Sequence, residues 1–118
     1  MSGCPSISVA LANVSAAALL VLGLRSADLD LVARGLGGDR IHQSRRRRLY
    51  PRSMEIVDSA RQLGALGATI SGAGPTVLVW TTWQEAGTVA AALEARCSGW
   101  AEVRRMPFEP QGADVPEL

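Results

Sequence analysis

Lysine is missing from this chain: all 12 basic residues are arginine. No side-chain amine is therefore present to form a Schiff base or serve as a catalytic lysine. Histidine occurs once, as His42, and cysteine twice, as Cys4 and Cys97. Groups so few and so far apart argue against a zinc site and against a disulfide framework. Both thiols are expected to stay reduced in a cytoplasmic protein, with Cys97 on an apolar helix stripe. Aromatic residues make up only 4% of the chain, too few for a stacking platform for single-stranded nucleic acid. An excess of one charge is also lacking. The net charge of +1 creates no global field toward nucleic acid or membrane.

The first 24 residues carry no charge, and residues 16–24 ("AAALLVLGL") are apolar throughout. A secretory signal needs a basic start, which residues 1–4 do not supply. A membrane span needs about twenty apolar residues, whereas Pro5, Ser6, Ser8, Asn13 and Ser15 interrupt this run. The expectation is a helix buried on most of its sides.

What is present is a hydrophobic fraction of 47% with 19% charged residues in 118 positions, the profile of one globular domain. The domain is expected over residues 1–109, with 110–118 ("PQGADVPEL" from Pro110) as a flexible tail. A first helix is predicted from residue 6 or 8 to 24. A second follows Ser26 as N-cap, with Leu29, Val32, Ala33 and Leu36 at helical spacing, and ends at Gly37-Gly38. After a basic loop, a third helix starts near Pro51 or Ser53, with Ile56, Val57, Ala60, Leu63 and Gly64 inward. On its outer face Asp58 and Arg61 are spaced to pair.

Short strands are predicted at 68–71 and 77–80, the latter covered on both faces because Val77, Leu78, Val79 and Trp80 run apolar without alternation. Thr82 and Glu85 form a capping box for a fourth helix with the stripe Ala86, Val89, Ala90, Leu93 and Cys97. One more strand is predicted within 100–108. Helices packed on a small antiparallel sheet make an α+β domain.

Two stretches carry the chemical information. Between the strands lies Ser71-Gly72-Ala73-Gly74-Pro75-Thr76. Six small residues exceed what a two-residue hairpin needs and leave a surface that a phosphate or another backbone can approach. No Gly-Lys-Ser/Thr follows and no helix begins there, so it is not a Walker A loop. Read locally, a structural turn is favoured over a site. The second stretch is the arginine run 45–48 inside "DRIHQSRRRRLYPRS". Four adjacent guanidiniums repel one another and call for an anion, which is either a folded-back carboxylate or a small carboxylate substrate held bidentately. His42, beside these cations, is read as a structural or substrate-contacting group ahead of a proton-transfer one.

Together the two stretches resemble the GHMP kinases. "SGAGPT" before an apolar strand is similar to the third signature motif of that superfamily, and its Pro75 and Thr76 point to the homoserine kinase branch. "DRIHQSRRRRLYP" is similar to that branch's D-x-[IL]-[HA]-[QE]-P-Y-R-x-x-L-x-P segment through Asp39, Ile41, His42, Gln43, Arg46, Leu49 and Pro51. The helix containing Asn13 resembles the one that opens the family's C-terminal half, so the likeness runs over residues 5–108.

The resemblance implies a ferredoxin-like C-terminal domain and a part in ATP-dependent phosphorylation of the L-homoserine hydroxyl, on the route to threonine. It implies that Arg46 clamps the homoserine carboxylate, with His42 beside it. Residues Ser71, Gly72, Ala73, Gly74, Pro75 and Thr76 would border the active-site cleft and support the phosphate loop of another domain.

Where the family segment has Pro-Tyr before its arginine, this chain has Ser44-Arg45, which leaves Arg45 and Arg47 as alternatives to Arg46. The family's N-terminal substrate segment has no counterpart here. Neither does its P-x-x-x-G-L-G-S-S phosphate loop with a Mg²⁺-binding acid. The reading is therefore a homoserine-kinase-like C-terminal domain, as a fragment, truncated product or split subunit. It carries no catalytic or metal-binding residue of its own, is inactive alone, and exposes apolar surface near its first helix and glycine loop. The alternative is a stand-alone module that binds a small amino acid without chemistry. A nucleic-acid module using the arginine run would bind with steep salt dependence and is disfavoured.

Overall fold

The structure, a computed structural model, describes residues 6–38 and 43–112, with the side chains of Gln43 and Ser44 excepted. Helix α1 spans Ile7–Ser26. Ser6 caps it by accepting the Val9 N–H at 3.3 Å. Ala27, in the left-handed conformation, ends it. Ser26 is the last residue of α1, not the cap of the next helix; its hydroxyl folds back onto the Leu22 carbonyl. The N-cap of α2 (Leu29–Leu36) is Asp28, whose carboxylate accepts the N–H groups of Asp30 and Leu31.

The two helices form an antiparallel hairpin with their backbones nearly touching. A Cβ on Gly35 would lie 2.6 Å from the Leu20 nitrogen, and one on Gly23 2.7 Å from that of Val32. Only glycine permits this approach.

The predicted basic loop is a helix, α3 (Gln43–Leu49). Arginine is a strong helix former, and the run is short enough for its guanidiniums to fan out around the axis. Tyr50 stands outside helical geometry (φ −133°, ψ 67°), as the residue before a proline tends to, and Pro51 opens α4 (Pro51–Ser59). A 3-10 turn (Ala60–Leu63) and Gly64 at φ 100° lead into β1 (Gly67–Ile70). β1 pairs antiparallel with β2 (Val77–Trp80), setting Gly67 opposite Trp80 and Ile70 opposite Val77. Then α5 follows (Ala86–Cys97), preceded by the Glu85 N–H donating to the Thr82 hydroxyl.

The core lies between α4, the 3-10 turn, one face of the sheet and α5. Ile56, Ala60, Ala65, Ala68, Val89, Leu93 and Cys97 are buried there, with Val77, Val79 and Val103 packed against them. Met54 and Val89 are fully buried, and burying a side chain of that size stabilises by ~1.5–3 kcal/mol. The thiol of Cys97 has its pKa raised by burial.

Four further sequence expectations are corrected. Leu78 is 43% exposed, so β2 is covered on one face only. The strand expected within 100–108 is not formed: the segment joins no sheet, although Phe108 reaches Trp80 with ring centroids 5.7 Å apart. Asp58 pairs with Arg47 instead of Arg61, and Arg61 donates to the carbonyls of Ala33 and Leu66, tying the end of α2 to the start of β1. Finally, α1 is not buried. Ile7 is 80% exposed, and Leu11, Val14, Val21, Leu22 and Leu24 are exposed as well. Hydrophobicity around the whole helix signalled burial, but α2 covers only one side. By length and composition α1 could also cross a membrane. The fold class, α+β with helices packed on a small antiparallel sheet, is as expected.

Candidate functional site

The 71–76 loop turns the chain from β1 to β2. Inside it, the Ser71 N–H donates to the Thr76 carbonyl at 2.8 Å, and the Gly74 N–H to the Ser71 carbonyl at 3.2 Å. Gly72 (φ 58°) and Gly74 (φ 90°) adopt left-handed conformations, and the Gly74–Pro75 peptide is cis.

Three residues from the α3–α4 corner grip this loop. Arg46 Nη2 donates to the Gly72 carbonyl at 3.0 Å. The Ser53 hydroxyl donates to the Pro75 carbonyl at 2.6 Å. The Tyr50 ring lies so close to Gly74 that a Cβ there would sit 2.6 Å from Cε2. One turn of α3, the corner residue and the first turn of α4 therefore face the loop together. The spacing 46, 50, 53 puts all three on one side because the hydrogen bonds run nearly continuously through the corner: Tyr50 N–H to the Arg46 carbonyl, and Met54 N–H to the Tyr50 carbonyl.

The arginine run divides its work. Arg46, half-buried, meets the loop. Arg47 forms a two-pronged pair with Asp58, at 2.5 and 3.2 Å. This hydrogen bond holds the Asp58 carboxyl below its usual range and raises the Arg47 pKa. Arg47 is thus committed to the carboxylate one helix away. Arg48 is exposed.

Chemically, a guanidinium at the lip of a loop without bulky side chains is a group that can bind and orient an anion. Among the described residues, none that grips the loop is a carboxylate or imidazole able to move a proton. Among the described residues no group of three or more His, Cys, Asp or Glu could hold a metal ion.

The family of GHMP kinases, C terminal, matches residues 17–99. The chain belongs to that family. Its curated relatives include a homoserine kinase of Methanopyrus kandleri, 43% identical over 90 residues that cover 76% of this chain and 30% of the relative. A homoserine kinase of Prochlorococcus marinus (strain MIT 9215) is 33% identical over 102 residues, covering 86% of this chain and 32% of the relative. The crystal structure of homoserine kinase from Cytophaga hutchinsonii superposes with a TM-score of 0.71 at 29% identity, over 81% of this chain and 30% of that one. The chain spans about a third of the length of the relatives it matches.

In this GHMP kinase C-terminal domain the residues picked out by sequence meet only in part. Arg46 and the 71–76 loop come together across 26 positions of chain. His42 lies outside the described residues. Tyr50 and Ser53 were missed as loop contacts. The signal available for them was their position just before and just inside a proline-started helix, in phase with Arg46.

Proposed function

We propose that the chain is the C-terminal part of a homoserine kinase, contributing the substrate-carboxylate side of the cleft to ATP-dependent phosphorylation of the L-homoserine hydroxyl in threonine synthesis. The observation that carries this reading is the Arg46–Gly72 contact, which joins the two stretches the family likeness singles out. In the proposal Arg46 holds the homoserine carboxylate, His42 stands beside it, and residues 71–76 form the wall that supports the phosphate loop. The domain proper is residues 1–109, with 110–118 a tail.

ATP is a substrate of the reaction and Mg²⁺ its usual companion. The described residues of this chain do not fit Mg²⁺, since no acidic cluster is among them. Both are assigned to the remaining two thirds of the enzyme, on the same or a separate polypeptide. Catalysis by such a partnership rests on positioning and charge stabilisation, and this chain supplies positioning. The reading also accounts for the exposed apolar side of α1, which protein would cover in a cytoplasmic enzyme.

Homoserine-dependent ADP formation tests the proposal. The 118-residue chain alone should give none. Coexpression with the first two thirds of the Methanopyrus kandleri enzyme should restore it, and Arg46→Ala should lower kcat/KM of the pair at least about a hundredfold. Turnover by the chain alone would overturn the proposal.

A second reading, an amino-acid sensor without chemistry, has one observation in its favour: Arg46, Tyr50 and Ser53 pre-form the loop within this chain. Calorimetric binding of homoserine to the isolated chain, with no gain of turnover on complementation, would select it.

A further inference from the structure

Away from the loop, a groove of about 460 Å³ runs between the first turn of α4 and the last turn of α5, lined by Arg52, Glu55, Ile56, Arg96 and Trp100. Its volume falls in the range of small-molecule sites. The groove is organised around the indole. Trp100 Nε1 donates to the Arg96 carbonyl at 3.0 Å, which fixes the ring against the end of α5. The Arg52 guanidinium lies over that ring, 5.5 Å from its centroid, so one cation is held in place by stacking, with its donor fork still available.

Arg96 approaches from the other helix, Glu55 stands one turn after Arg52, and Ile56, which is buried, forms an apolar floor. The charges are therefore two guanidiniums and one carboxylate around an aliphatic and aromatic surface.

We infer that this groove binds a free α-amino acid with an aliphatic side chain: its carboxylate between Arg52 and Arg96, its ammonium on Glu55, its side chain on Ile56 and Trp100. Each charge of a zwitterion then meets its opposite. A multiply charged phosphate would instead meet the Glu55 carboxylate, and a plain carboxylate would leave Glu55 unanswered. Arg52, Glu55 and Arg96 are exposed, so the binding is weak and salt-sensitive. The inference uses none of the residues that grip the 71–76 loop and stands whether or not the chain completes a kinase.

The Trp100 indole N–H signal, assigned by Trp100→Phe, reports on the groove in a ¹⁵N–¹H titration of the full chain. L-Leucine, L-isoleucine, L-valine and L-methionine are titrated at low salt, with isocaproate and isoamylamine as leucine analogues lacking one charge each. The expected result is a saturable shift with Kd below about 5 mM for at least one amino acid. Arg52→Ala and Arg96→Ala should each weaken it about tenfold, and Glu55→Gln should erase the preference for leucine over isocaproate. Circular dichroism melts of the three variants confirm that they fold. No saturable shift from any of the four amino acids would overturn the inference. So would isocaproate binding as tightly as leucine to the unmodified chain, or binding lost in Arg46→Ala and kept in Arg52→Ala.

Discussion

Replacing Gly74 by alanine puts the loop's architecture to its sharpest test. Two costs add at this position. The residue sits at φ 90°, where an L side chain is strained by about 1–2 kcal/mol. The new methyl would also lie 2.6 and 2.8 Å from two carbons of the Tyr50 ring and 3.3 Å from Ile70 Cγ2. Tyr50 is half-buried and is the corner residue between two helices, so its ring yields only by moving the corner, and overpacking of this kind costs about 1–3 kcal/mol.

The total is about 2–5 kcal/mol of destabilisation. Gly72→Ala is the matched control: it has a positive φ of 58° but nothing within 4 Å of the added atom, so it carries the backbone cost alone. Urea melts of both variants give the difference. In a double-mutant cycle, Tyr50→Ala should recover about 1–2 kcal/mol of the Gly74→Ala loss by removing the ring. If Gly74→Ala proved no more costly than Gly72→Ala, the ring would not be packed on the loop and the reasoning would fail.

Three further outcomes are expected. Gly35→Ala should destabilise by about 2–3 kcal/mol in a thermal or urea melt, because its methyl would meet the α1 backbone at Leu20 and Ala16. Asp58, depressed by its hydrogen bond from Arg47, adds stability that is present above the carboxylate's unfolded pKa and is lost as pH falls through its lower folded value. Both partners are half-exposed, so Asp58→Asn should cost no more than about 1 kcal/mol at pH 7, with the difference shrinking as pH falls through the folded Asp58 value in pH-dependent urea melts. Cys97, buried and with its thiol pKa raised, should resist iodoacetamide at pH 8 in the folded chain and react promptly in urea, as mass spectrometry would show.

The sequence made the hairpin strands legible because Val77 and Val79 are β-branched within an apolar run, and a glycine-containing loop separates that run from the one before it. It made α5 legible because Val89, Leu93 and Cys97 recur every four residues. It misled at α1, where uniform apolarity signals burial without saying against what. It misled at α3, where four arginines look like a solvated loop although each favours a helix. The strand expected within 100–108 is not formed, because an apolar segment does not by itself provide a neighbouring edge to pair with. Of the site, Arg46 and the small-residue loop were legible as a resemblance. Tyr50 and Ser53 were not, because their meaning depends on the corner that Pro51 makes between two helices.

That corner has a consequence for how the loop can be moved or inherited. Among the described residues, the side chains that grip the 71–76 loop come from residues 46–53, so the loop and these supports lie on one uninterrupted stretch of chain. A chimera joined before residue 43 or after residue 80 transfers the loop with its holds. A junction between 53 and 71 hands the loop to one parent and its three holds to the other.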